Sequence, residues 1–453
     1  MKIRALNVLL YSFILVSTSF AAEDIEARLK NLEEISRQQA GKIAEQQKVI
    51  DELKSALSAP KSETAPTPEG IAQWQETAKS QETAKVTGLF GGSAFTNPYI
   101  SLVVNTFFYS SALKQGEVDG RSIPGFTNIA SDGRNRGFNF ESAELFLFAP
   151  VDPYFNLYAN IPVTDEGASV EEAYFLTTSL PAGFQIKGGK FKGGFGRING
   201  QHPHAWDFVD VPLNYRAFMG LEGIGGEKGV QLSCLPPLPF YLQLGIEVFQ
   251  GENELLFDPY GKSPFGIAAF AKASFDVGEH STVLFGPSFL AGKARIATVA
   301  DDTFFSGTSE LYGFELVYKW KPSRSRSLVV QSEYMVRRQN GDLTDSLSST
   351  TSPLSRTQDG IYVQGLYQWE RWRIGVRYDV LELFRKNYIL SGLQQDFGKQ
   401  PWRVTGAVEF NPTEFSRLRL QYNRDDSARN GQVNYELFFQ VLLGIGAHAA
   451  HAF

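Results

Sequence analysis

The segment Gln201-His-Pro-His-Ala-Trp-Asp-Phe-Val-Asp210 puts two imidazoles and two carboxylates close together. Imidazole and carboxylate together suit zinc and related transition metals, so His202, His204 and Asp207 form a candidate metal set, with Asp210 as a further ligand. The intervening proline leaves open whether the two rings converge. The alternative is a histidine pair hydrogen-bonded within a packed loop. A second concentration of chemistry is cationic. Arg371, Arg373, Arg377, Arg403, Arg417 and Arg419 fall on one parity of three successive segments, and Lys192, Arg197 and Arg216 lie on or beside the histidine segment. A wall of guanidiniums focuses field and favours anions. Asp379, Glu409 and Glu436 share that parity, so a self-compensating charge ladder is the alternative. No Ser/His/Asp arrangement, pair of catalytic carboxylates or phosphate loop stands out. The glycine-dense run from Gly188 to Gly196 ends a strand pattern and does not open a helix. No enzymatic activity and no obligatory cofactor is expected.

The elements that must position these residues are strands. From Asn97 onward the apolar period is two. Trp372, Ile374, Val376, Tyr378 and Val380 alternate with Arg371, Arg373, Gly375, Arg377 and Asp379; Leu418, Leu420 and Tyr422 alternate with Arg417, Arg419, Gln421 and Asn423. The greasy face ends repeatedly in an aromatic, as at Trp320, Trp369, Trp372 and Trp402, which is the girdle pattern of a lipid-facing barrel. The pattern predicts strands near 98–109, 138–149, 153–163, 169–179, 183–191, 227–235, 239–249, 264–276, 280–291, 308–320, 327–338, 360–369, 371–381, 401–410, 416–424 and 432–446. That even number, 16, suits a single-chain bacterial barrel. Tight Pro/Gly/Asn turns at 149–153, 180–183, 236–239, 369–371 and 411–415 alternate with longer stretches at 192–226, 250–263, 292–307, 339–359 and 382–400. The fold expected is therefore all-β, a transmembrane antiparallel barrel over 97–453 with short periplasmic turns and long outer loops. A barrel of this size leaves an aqueous channel. The third outer loop, 192–226, is rich in aromatics and is expected to fold inward as a constriction.

Residues 1–21 read as a signal peptide, with Lys2 and Arg4 ahead of an apolar run and Ser19 and Ala21 at the small positions before cleavage. A heptad register over 22–58, with Ile25, Leu29, Leu32, Ile43, Ile50, Leu53 and Leu57 on its seam, predicts a periplasmic coiled coil. That helix implies a homo-oligomer, with a trimer as the simplest choice. Residues 59–96 form a flexible linker: a Pro/Thr/Ala stretch, the repeat Gln75-Glu-Thr-Ala-Lys79 and Gln81-Glu-Thr-Ala-Lys85, and a Gly-rich end. Phe453, in line with Val441, Leu443 and Ile445, resembles the terminal assembly signal of outer-membrane proteins. The nearby pair His448 and His451 is read as structural.

Composition agrees. Of 453 residues, charged residues make up 20% and aromatics 13%, and the mean hydropathy is −0.19. That is too polar for a stack of membrane helices and too aromatic for several ordinary soluble domains. The lone cysteine, Cys234, excludes a disulfide framework and a cysteine-based zinc module. A net charge of −6 gives no reason to expect nucleic acid.

The segment from Gln201 to Asp210, continued by Pro212, Tyr215, Arg216, Ala217 and Phe218, resembles a family of proteobacterial outer-membrane proteins known as zinc-regulated TonB-dependent outer-membrane receptors. The likeness extends through Glu171-Glu-Ala-Tyr174, Leu180-Pro-Ala-Gly183 and Gly188-Gly-Lys-Phe191. It implies an outer-membrane barrel with an association to zinc. The stretch Lys187-Gly-Gly-Lys-Phe-Lys-Gly-Gly-Phe-Gly196 is similar to phosphate-selective porins, which implies a 16-strand trimer. TonB-dependent receptors have 22 strands and a plug, for which 357 residues at about 22 per strand leave no room. The expected function is thus a porin-like channel in the outer membrane for small solutes, with an anion preference. A zinc-linked receptor or uptake channel and an envelope-tethering protein are the alternatives.

Overall fold

The computed structural model describes residues 98–446, except 127–133, 221–222, 224, 259–265, 298–302, 346 and 430. The signal-peptide, coiled-coil and linker assignments over 1–96, and the terminal His448, His451 and Phe453, lie outside the described residues.

The alternating segments form one antiparallel sheet that closes on itself. Its strands are β1 (Tyr99–Ser111), β2 (Gly137–Pro150), β3 (Phe155–Thr164), β4 (Glu172–Thr177), β5 (Phe184–Phe191), β6 (Glu227–Cys234), β7 (Tyr241–Phe249), β8 (Gly266–Asp276), β9 (Ser281–Ala297), β10 (Thr303–Ser323), β11 (Arg326–Asp345), β12 (Thr350–Trp369), β13 (Trp372–Leu390), β14 (Trp402–Thr413), β15 (Ser416–Asp425) and β16 (Asn434–Gly446). Two further two-residue ladders, Gly167–Ala168 and Leu393–Gln394, sit within loops. Each strand pairs with its neighbours in sequence. The barrel closes where β1 meets β16, with Ser101 opposite Gly446 and Ser111 opposite Glu436. With closure, each of the 16 described strands has a hydrogen-bonded neighbour on both sides. The 16 strands match the expected number, and the TonB-dependent receptor part of the resemblance finds no support.

Alternation sorts the side chains. Ile374, Val376 and Tyr378 of β13, Tyr312, Phe314 and Leu316 of β10, and Leu244, Ile246 and Val248 of β7 all point outward and are exposed, Val376 to 56%. A soluble monomer does not present a continuous apolar belt of this kind, whereas a barrel in lipid requires one. Trp369 and Trp372 mark the tight-turn end of the belt, and Tyr378, Trp402 and Tyr422 mark the loop end.

The strand expectations hold in number and order, but the wall is uneven. β9 to β13 run on well past the predicted ends, so 292–307, 339–359 and 382–400 are largely strand where the sequence suggested loop. Beyond the lipid the outward face turns polar, as at Arg338, Asn340 and Asp342, so the apolar period vanishes, while inward residues such as Leu354, Arg356 and Tyr388 stay buried. Ser, Thr, Tyr and Gly can still sustain the backbone ladder there. On the opposite side β4 to β6 are short, at six to eight residues each.

The lumen also departs from expectation. Its middle holds an apolar core. Phe195, Ile198, Val211, Leu213, Tyr215, Phe218 and Met219 of the third loop pack on inward residues of the wall, among them Phe249, Leu290, Leu311, Met335, Tyr362 and Leu381. The first loop adds Ile123 and Phe126, and the loop after β7 adds Leu256 and Phe257.

Candidate functional site

The third loop leaves β5 at Phe191 and turns into the barrel. Two short 3₁₀ turns, Ile198–Gly200 and Pro203–Ala205, and helix α1 (Leu213–Phe218) give it shape. Glycines on the inward parity make sockets for it. A Cβ at Gly313 of β10 would lie 2.7 Å from the ring of Phe195, and one at Gly375 of β13 would lie 3.1 Å from the ring of Phe208. The wall accepts these two rings because it lacks side chains at those points.

Polar contacts then fix the loop against β13 to β15. Asp210, buried at 3% exposure, accepts hydrogen bonds from Arg377 Nη2 at 2.8 Å, Arg403 Nη1 at 2.8 Å, Gln421 Nε2 at 2.8 Å and Asn423 Nδ2 at 2.9 Å. Arg377 and Arg403 share a second carboxylate, Asp379. Burial would raise the Asp210 carboxyl, but Arg403 and Arg377 outweigh it and hold the group well below the usual carboxylate range. Arg419 pairs with Glu409 at 2.7 Å and donates to the carbonyl of Trp206 at 2.8 Å. Arg373 bridges Asp207 at 2.7 Å and Glu409 at 3.1 Å. Arg417 approaches Glu409 at 3.4 Å and donates to the carbonyl of His204.

The arginine parity read from the sequence is therefore real, but its role differs from a water-facing wall. Arg377, Arg403 and Arg419 are at most 2% exposed and serve as anchors for the loop. Guanidiniums need carboxylate and carbonyl partners when buried, and the loop supplies them. Arg373 and Arg417 are half-buried, and Arg371 is exposed. These three line a cavity of about 650 Å³ at the tight-turn mouth, together with Gln368, Glu370 and Glu409. Arg197 lies in a second cavity at that end, of about 500 Å³, with Lys272, Gln201, Tyr241 and Gln243. Its Nε donates to Gln331, while its backbone N–H and the Tyr215 hydroxyl donate to Glu333. Arg216 is half-buried on α1. Lys192 is buried and pairs with Glu171 at 2.6 Å.

The histidines are brought together, but not with Asp207. Their rings lie 5.7 Å apart and nearly parallel, at 4°. His202 meets three glutamates of the wall: Glu144 on β2 (Nδ1 to Oε1, 3.2 Å), Glu171 just before β4 (Nδ1 to Oε2, 3.0 Å) and Glu172 on β4 (Nε2 to Oε2, 2.9 Å). His204 Nδ1 lies 2.7 Å from Glu144 Oε2. Asp207 faces the other way, toward Arg373 and Gln364. The set His202, His204 and Asp207 is thus corrected: Asp207 is drawn off by Arg373, and the carboxylates beside the histidines come from the wall. Burial alone would lower the His202 imidazole, but its hydrogen bonds to Glu171 and Glu172 outweigh this and raise it to about 9.

Sequence reasoning missed the glutamate partners. Glu171 and Glu172 stood in the resemblance without a role, and Glu144 carried no local signal. It also missed Arg337 and Arg356, which are fully buried on β11 and β12. Arg337 is stacked against Phe126 and Phe218, and Arg356 against Phe305 and Tyr388.

A closed 16-strand antiparallel barrel with an apolar outer belt and an inward-folded third loop is a porin-like barrel. No family model matches the chain. An uncharacterized protein of Aquifex aeolicus (strain VF5) is 42% identical over 393 residues, covering 80% of this chain and 81% of that protein, and the chain belongs to the same family. Among solved structures, the outer membrane channel DcaP of Acinetobacter baumannii is 11% identical with a TM-score of 0.48, covering 77% of this chain and 96% of that one. OmpT of Vibrio cholerae, an outer membrane protein, gives 11% and 0.47, with coverage of 77% and 97%. An anion-selective porin from Comamonas acidovorans gives 9% and 0.47, with coverage of 77% and 99%.

Proposed function

We propose that the chain is an outer-membrane channel of the porin type for small solutes, with the third loop setting the bore and a preference for anions. One observation carries this reading: a barrel that is apolar outside holds a loop fixed across its lumen, with solvent-lined cavities at the tight-turn mouth. The preference for anions rests on Arg371, Arg373 and Arg417 around one cavity and Arg197 and Lys272 around the other. Glu370, Glu409 and Glu414 line the first cavity too and match its three arginines in number, so the preference is expected to be weak. The tight turns are assigned to the periplasm, as is the heptad segment 22–58, whose pattern supports a homotrimer with a periplasmic stalk. Uptake by proteoliposomes tests the channel. Purified full-length protein should pass small anionic and neutral solutes, and folded protein that leaves vesicles as tight as empty ones would rule the channel out.

A further inference from the structure

We propose that Glu144, Glu171, His202 and Asn160 form a binding site for a divalent cation of the zinc class, placed where the third loop meets the barrel wall. The first support is spacing. Ligand atoms of Glu144, Glu171 and His202 all lie within 4.8 Å of one another. His202 Nδ1 is 3.2 Å from Glu144 Oε1 and 3.0 Å from Glu171 Oε2. Ligands held about 2.0–2.2 Å from a tetrahedral metal stand about 3.3 Å from one another, so these atoms are already at shell spacing.

The second support is orientation. The other ring nitrogen of His202, Nε2, faces Glu172 Oε2 at 2.9 Å. A metal-ligating histidine characteristically donates its remaining N–H to a carboxylate, which fixes the ring and its tautomer. Glu144 is held in the same way, since its Oε2 meets His204 Nδ1 while Oε1 faces the centre. Glu171 gives Oε1 to Lys192 and keeps Oε2 for the centre. Each carboxylate thus has one oxygen engaged outward and one directed inward.

The third support is independent of both. The Asn160 side chain is 1% exposed, and its Oδ1 has no hydrogen-bond partner. Its amide nitrogen is crowded against Glu144 Oε1 at 2.5 Å, His202 Nδ1 at 2.7 Å and Glu171 Oε2 at 3.0 Å, the three atoms that would ligate. A half-turn of the amide exchanges O for N. It would direct the orphaned Oδ1 at the same centre as a fourth ligand. Charge agrees: three glutamates against the Lys192 ammonium leave two negative charges, which one divalent cation neutralises. Such a cation would tie the loop to β2, β3 and the start of β4.

The test uses full-length protein folded in detergent, treated with chelator and titrated with Zn²⁺ alone. One Zn²⁺ per chain is expected, with little competition from excess Ca²⁺ or Mg²⁺, and a Co²⁺ form should show the visible absorption of a four-coordinate site. His202→Ala and Glu144→Gln should each weaken Zn²⁺ binding at least 100-fold. Asp207→Asn and the double variant His448→Ala/His451→Ala should bind as wild type. Folded wild type that takes up no Zn²⁺ overturns the site, and so does binding that survives both ligand changes. Folding is read separately from heat-modifiable gel mobility. If His202→Ala fails to fold, the wild-type stoichiometry and the Co²⁺ spectrum decide alone. Conductance is not part of the readout, so this site and the channel reading stand or fall separately.

Discussion

Asp210 is the loop residue on which most of the polar anchoring converges, and its removal has a calculable effect. Four side-chain donors meet its two oxygens, two of them guanidiniums buried to within 2%. In Asp210→Ala, Arg377 and Arg403 would share Asp379 as their one directly paired carboxylate, with Asp425 and Glu436 acting on Arg403 only from farther off. Breaking a buried pair from one side costs about 3–5 kcal/mol. At 1.4 kcal/mol per decade, the loop-detached state gains a factor of roughly 10² to 4 × 10³. The barrel itself should persist, because its ladder does not involve Asp210. The assay is single-channel recording in planar bilayers, paired with limited proteolysis of the third loop. The variant should show larger or flickering conductance and faster cleavage within 192–226, at unchanged heat-modifiable mobility. Conductance and cleavage identical to wild type would refute the view that Asp210 holds the loop.

Asp207→Asn should be far milder, at about 1 kcal/mol or less, because Arg373 keeps Glu409 and the pair is partly exposed; urea unfolding of the two variants side by side checks the contrast. Phe218→Ala empties a fully buried ring site in the luminal core and should cost about 3–5 kcal/mol, read as a lower unfolding midpoint. The Asp210 carboxyl lies below its ordinary value of 3.8 in the folded chain, so its contribution is complete above that pH and lost as pH falls through the lower folded value. Loop cleavage should therefore rise only in acid below about pH 4, and in Asp210→Asn this step should be absent. Replacing Arg371, Arg373 and Arg417 together with Gln should move the reversal potential in a salt gradient toward cations, and an unmoved potential would remove these residues from selectivity.

Much of the barrel was legible because lipid imposes a strict rule. Every second residue of β13 or β10 must be apolar, and Trp369 and Trp372 must stop the pattern at an interface. Where that rule ends, legibility ends. The upper parts of β9 to β13 are polar on their outward face and mixed on their buried inward face, where Phe305, Leu354 and Tyr388 lie beside Gln339 and Arg356, so Arg326–Asp345 and its neighbours read as strand for only part of their length. Phe249, Leu290, Leu311 and Met335 fall on the parity that should face water, and they do so because the third loop covers them. The inward fold of that loop was visible in its aromatics, as was the arginine parity, but not their union. Asp210 lies more than 160 residues from Arg377, and only barrel closure sets them together. The same holds for His202 and Glu144. A local motif suggested Asp207 as the third ligand because it was near in sequence, while the register of β2, β3 and β4 brought glutamates that no spacing could announce.

The central proposal is that the third loop sets the bore of a membrane-spanning barrel. Planar-bilayer recording of the full-length protein beside a form in which residues 197–219 are replaced by a short Gly/Ser linker tests it most directly. The account predicts small, discrete steps for the wild type and steps several-fold larger for the shortened loop, with both proteins folded. Equal conductance in the two forms, or silence in both, would contradict it.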